Sequence, residues 1–167
     1  TPPWVPVDRT GVGAQTSEAL SPAALYNRLR GNPEWRLLFA DRAQKHFFNN
    51  GAMTTNQTIP RFLDLCDQID RAIVCESARW GDVVRTGQPY TRNVEWLAEK
   101  SRLQSQFFSN RTDLVIAQLK TAGLYPNLPA PVFSPHGAVF SNQLSVTLTR
   151  PVGTIYYTTN GTDPRLA

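Results

Sequence analysis

Apolar residues recur at helical spacing through most of this chain and switch to alternation only near its end. Ser21-Pro22 reads as an N-cap followed by proline at the first helical position, and Leu25, Tyr26 and Leu29 give the segment one apolar side before Gly31. Asn32-Pro33-Glu34 repeats the start signal, and a second helix runs toward Asn49-Asn50-Gly51 with Trp35, Leu38, Phe39, Ala43, His46 and Phe47 as its buried stripe. A third and longest helix begins in residues 54–58, with Pro60 in its first turn. It carries Ile59, Phe62, Leu63, Cys66, Ile69, Ile73, Val74 and Trp80 inward, and the stretch from Gly81 to Pro89 ends it. After Thr91 a fourth helix bears Val94, Trp96, Leu97, Leu103, Phe107 and Phe108. Asn110 then caps a fifth, with Leu114, Val115, Ile116 and Leu119, closed by Gly123.

Beyond residue 125 the pattern changes. Pro126, Pro129, Pro131 and Pro135 mark a linker, after which Leu144, Val146 and Leu148 alternate with Ser145, Thr147 and Thr149, the period of a strand. Ile155 to Thr158 is a second strand candidate, bounded by the turn formers Asn160-Gly161 and Asp163-Pro164. The expected organisation is an extended lead-in (1–20), a bundle-like domain of about five helices (21–125), a Pro-rich linker (126–131) and a short β segment (132–167). About forty β residues cannot close a sandwich of about seven strands, so the fold class is mainly α with the opening strands of an incomplete sandwich.

Composition narrows the functional classes. With 41% hydrophobic and 18% charged residues, the chain suits an ordered fold, and it contains no run of about twenty apolar residues to span a membrane. The net charge of +4 is small, and its arginines alternate with acids, which argues against a nucleic-acid interface. Cys66 and Cys75 lie nine apart on one helix, about 13 Å along its axis, too far for a disulfide, and read as buried free thiols.

Candidate chemistry is sparse. Gly11-Val12-Gly13 lacks the remainder of a phosphate-binding loop. Asp64, Asp67 and Asp70 follow one another at three-residue spacing, a solvated face paired with Arg61 and Arg71 rather than the turning loop a Ca²⁺ site uses. His46 reads as a packed histidine, and His136 has no triad partner. Tyr156 and Tyr157, with Trp4 or Tyr90, are the candidate glycan or partner contacts, although alternation on a strand would send one of the two adjacent tyrosines into the core. No catalytic, cofactor-binding or metal residue is assigned.

Two stretches resemble known families. LYNRLRGNPEWRLLFADRAQKHFF (Leu25 to Phe48), RFLDLCDQIDRAIVCESARWGD (Arg61 to Asp82) and YTRNVEWLAEKSRLQSQFFSNRTDLVIAQLKTAGLYP (Tyr90 to Pro126) resemble the C-terminal helical part of CotH-like (spore-coat protein H-like) kinase domains. APVFSPHGAVFSNQLSVTLTRPVGTIYYTTNGTDP (Ala130 to Pro164) resembles the start of a chitobiase/β-hexosaminidase C-terminal-like domain, an Ig-like module. The first resemblance implies a kinase-like parent whose ATP- and Mg²⁺-binding residues lie upstream of this chain. Together they imply a non-catalytic piece of an exported or cell-surface bacterial multidomain protein. Its partners would then be the parent's other domains, another protein or cell-wall polysaccharide.

Overall fold

The structure, a computed structural model, describes residues 7–11, 21–83, 85–137 and 139–166. The chain forms two compact units, Thr1–Tyr125 and Pro126–Ala167. The first is helical and the second carries a short antiparallel sheet.

Local chemistry sets the helix starts. Helix α1 (Pro22–Leu29) opens with the Ser21 side chain accepting the Ala24 N–H at 3.1 Å. In α2 (Pro33–Phe47), Asn32 Oδ1 accepts the Glu34 and Trp35 N–H groups at 2.9 and 3.1 Å, so one side chain satisfies two first-turn donors, while Pro33 at the first position has none to satisfy. It ends where Asn49 and Asn50 adopt φ of 51° and 63°, the left-handed region that asparagine tolerates. Helix α3 (Thr55–Trp80) places Pro60 in its second turn, not its first. There the ring forgoes the helical bond that a residue at this position would donate to the Asn56 carbonyl. At the end of α3, Gly81 is buried. A Cβ there would lie 2.4 Å from the Tyr90 carbonyl oxygen and 2.5 Å from that of Ser77, so only glycine lets the returning chain approach.

The expected fourth and fifth helices are one unbroken helix, 92–121. It comprises a π-helical turn (Arg92–Trp96), an α-helical stretch (Leu97–Arg102), a second π-helical turn (Leu103–Phe108) and a final α-helical stretch (Ser109–Thr121). Asn110 caps nothing: its side-chain N–H bonds back to the Gln106 carbonyl at 3.0 Å, and Ser109 likewise donates to Ser105. The π turns have a geometric use. Arg92, Lys100, Phe108, Thr112 and Ile116 all point inward, to Asp70, Asp67, Phe62, the Met53 carbonyl and the core respectively. Their spacings are multiples of four. Over 24 residues a pure α-helix would overshoot six turns by roughly 240°. Giving the eleven π residues roughly 4.4 per turn cuts the overshoot to about 40° and keeps one face inward.

The 92–121 helix closes in a Schellman motif. Gly123, at φ 68°, donates to the Lys120 carbonyl (3.1 Å), and Leu124 donates to the Leu119 carbonyl (2.9 Å). The turn buries Leu124 and Tyr125 with Ala40, Ala43, Ile116 and Leu119, and Tyr26, Trp35, Phe39 and Phe47 pack around them. Two members of the expected α2 stripe lie elsewhere. The buried face runs through Trp35, Phe39, Ala40, Ala43 and Phe47, so Leu38 sits roughly 135° from its centre and is exposed. His46, in the last turn, is also exposed, and its carbonyl accepts the Met53 N–H at 2.8 Å. Helix α3 buries only Cys66, while Ile69, Val74 and Trp80 remain exposed, because one neighbouring helix covers a narrower stripe than the sequence offers.

In the second unit, β1 (Val132–Ser134) pairs antiparallel with β2 (Thr147–Thr149), Phe133 lying opposite Leu148. The expected strand at 155–158 is not one. These residues lie outside the sheet, and the chain instead turns on Asn160, whose side chain accepts the Thr162 N–H at 3.1 Å. None of the described residues of this unit is buried.

Candidate functional site

The densest polar constellation lies where α3 meets the start of the 92–121 helix. Thr91 caps that helix, its hydroxyl accepting the Val94 N–H at 3.2 Å, and Glu95 reaches back to accept the Thr91 N–H at 2.7 Å. This is a capping box with the acid one residue later than usual, as fits a wider π-helical first turn. The Glu95 carboxylate also pairs with Arg85, whose guanidinium lies 4.4 Å from the Tyr90 ring centroid. The Thr91 N–H first, then Arg85, pull the Glu95 carboxyl from 4.5 down to about 2.

The aspartate series of α3 is divided among partners. Asp70 takes a bidentate grip from Arg92 (2.7 to 3.0 Å), which lowers its pKa, with the Trp96 indole a smaller contributor. Asp67 accepts from Lys100 Nζ at 2.6 Å and holds that ammonium above its ordinary range. Asp64 accepts from Gln68 at 2.9 Å. The cations facing Asp67 and Asp70 therefore come from the 92–121 helix, not from Arg61 and Arg71. Arg61 instead donates to the Ala52 carbonyl at 3.4 Å. Among the described residues no three His, Cys, Asp or Glu side chains gather as a metal site would require.

Beside these pairs runs a groove of about 610 Å³, walled by Ile73 and Ser77 of α3, Tyr90, and Trp96 and Ala98 of the facing helix. Arg102 also lines it, held by Glu99 at 2.6 and 2.7 Å. The walls are mainly apolar and the charges near it are neutralised in pairs, so the groove offers shape and apolar contact rather than a reactive group.

The cysteines differ. Cys66 is buried, and burial raises its thiol pKa, whereas Cys75 is exposed, against the expectation of two buried thiols; both are free. Tyr156 and Tyr157 are 76% and 69% exposed, so neither enters a core, and Tyr90 is half-exposed. Trp4, Val12 and Gly13 lie outside the described residues. His136 stands edge-on to Phe133 with centroids 6.2 Å apart. The groove and the ion pairs of Asp67 and Asp70 escape sequence reasoning because their members come from segments about twenty to thirty residues apart. The one local signal was Thr91 followed by Glu95.

No protein-family model, no curated protein and no solved structure matches the chain. Its class is thus defined by the fold alone: a mainly helical chain with a short two-stranded antiparallel sheet. Among the described residues, no helix is long and apolar enough to cross a membrane.

Proposed function

We propose that this chain is a non-catalytic structural and interaction segment of a larger exported or cell-surface protein, acting through apolar surfaces that neighbouring domains cover. The supporting observation is the distribution of apolar side chains. Among the described residues only eight hydrophobic side chains are buried, while twenty-one large ones are exposed, from Leu65, Ile69 and Val74 on α3 to Phe133, Val139 and Phe140 in the second unit. Scattered apolar exposure is ordinary on a soluble protein, but the described residues of the second unit include none that is buried to make a core, and two short strands are marginal alone.

A second reading follows from the kinase resemblance: the helical unit is the distal lobe of a CotH-like kinase whose ATP and Mg²⁺ groups lie upstream. Melting this chain and an upstream-extended protein with and without ATP and Mg²⁺ separates the two, because a ligand that binds only the native state raises its melting temperature. A shift in the extended protein alone favours the kinase reading; no shift in either favours the interaction role. A third reading, binding of cell-wall polysaccharide, is favoured by the paired exposure of Tyr156 and Tyr157, since aromatic faces stack on sugar rings. Its test is titration with cell-wall oligosaccharides, watched through the tyrosine ring signals.

A further inference from the structure

We propose that residues 92–102 form a strap, hinged at the π-helical turn Leu103–Phe108, that opens from α3 as a unit while the helical core stays folded. Three observations converge. First, the strap and hinge contain no buried residue, whereas the part of the same helix beyond them supplies Ile116 and Leu119 to the core. The core cluster draws no residue from α3 or from 92–108. Second, the strap is fastened by side-chain ion pairs, Arg92 on Asp70 and Lys100 on Asp67, while Val94 and Leu97 of the strap stand exposed. Partly exposed ion pairs weaken as salt screens them, unlike the apolar contacts of the core. Third, the α-helical ladder is interrupted at the hinge. The π-helical pattern replaces i→i+4 bonds there, and the Ser105 and Ser109 hydroxyls compete for the carbonyls of Ser101 and Ser105. The hinge base is tied down: Phe108 packs on Phe62 with centroids 4.7 Å apart, and its carbonyl accepts the Thr55 hydroxyl at 3.3 Å.

Opening would uncover Cys66, 4% exposed on the α3 face that carries Phe62 and Asp70, and would widen the groove at Ile73 and Trp96. The strap goes beyond the interaction role proposed above and does not depend on it.

Thiol labelling of the full chain with an aromatic disulfide reads the strap directly, because exposed Cys75 serves as an internal reference. Asp70→Asn is expected to speed Cys66 labelling at least about tenfold without changing the Cys75 rate, and salt at about 1 M to do so in the unsubstituted chain. At low urea the Cys66 rate should depend only weakly on denaturant, as for a local opening, and Leu119→Ala should lower global stability while leaving that low-urea rate unchanged. The proposal is overturned if Cys66 labelling follows the global unfolding curve in every variant and at every salt concentration. The salt series on the unsubstituted chain decides the matter even if Asp70→Asn does not fold.

Discussion

Four residues, Glu95, Asn32, Asn110 and Gly81, show how local chemistry fixes this fold and where it can be tested. Glu95 titrates at about 2 in the folded chain against 4.5 ordinarily. A carboxyl whose folded pKa is depressed contributes stability above its unfolded pKa and loses it as pH falls toward the folded one. The melting temperature should therefore drop between about pH 5 and pH 2, and Glu95→Gln should remove part of that drop, as thermal melts across this range would reveal. The asparagines make a contrasting pair. Asn32→Ala deletes a true cap and should cost about 1 kcal/mol, whereas Asn110→Ala, inside a continuous helix, should be neutral or stabilise by a few tenths, about 0.5 kcal/mol. A loss of about 1 kcal/mol at Asn110 would mean that the helix breaks there after all. Gly81→Ala forces a methyl against two carbonyls and should cost about 2 kcal/mol by urea melts.

At the scale of elements, what was legible in the sequence was what a few adjacent residues decide. Ser21, Asn32 and Gly123 act on backbone groups within five positions of themselves, so their roles follow from their identities and neighbours. The join at Asn110 was misread because Ser and Asn both cap helices and bond within them, and the choice depends on whether the flanking turns have something to pack on. The π turns left no residue signature; they answer the demand that Arg92, Lys100, Phe108 and Ile116 share one side of a helix. Leu38, His46, Ile69 and Val74 were misplaced because periodicity shows which residues share a stripe, not how wide a stripe the neighbours cover. The β-prone residues Ile155 to Thr158 between turn formers likewise suit an extended chain, but a strand needs a neighbour to bond. Pro60 offers an element-scale test. Replacing it with alanine restores an N–H to the second turn of α3 and should raise stability by about 1–3 kcal/mol, less whatever the proline contributed by stiffening the unfolded chain.

For the whole molecule, the decisive quantity is how much apolar surface is left for others to cover. The helical unit has one small core at its α2 end and a long, thinly packed α3 pair, fastened by ion pairs. The second unit has no buried residue among those described. Such a chain gains stability by docking, since any neighbour that binds only the folded form shifts its equilibrium. The candidate contacts follow the same logic: Tyr156 and Tyr157 became legible as exposed only once the structure lacked a sheet to take one of them inward. Under the proposed role, hydrogen exchange on this chain alone and within a longer parent protein is the most direct measurement. The account predicts that protection along Leu65 to Trp80 and across Val132 to Thr149 rises by about tenfold or more in the parent, as their apolar faces are covered. Equal protection in both, with cooperative unfolding of the isolated chain, would mean that it completes its own fold and would contradict an interaction role.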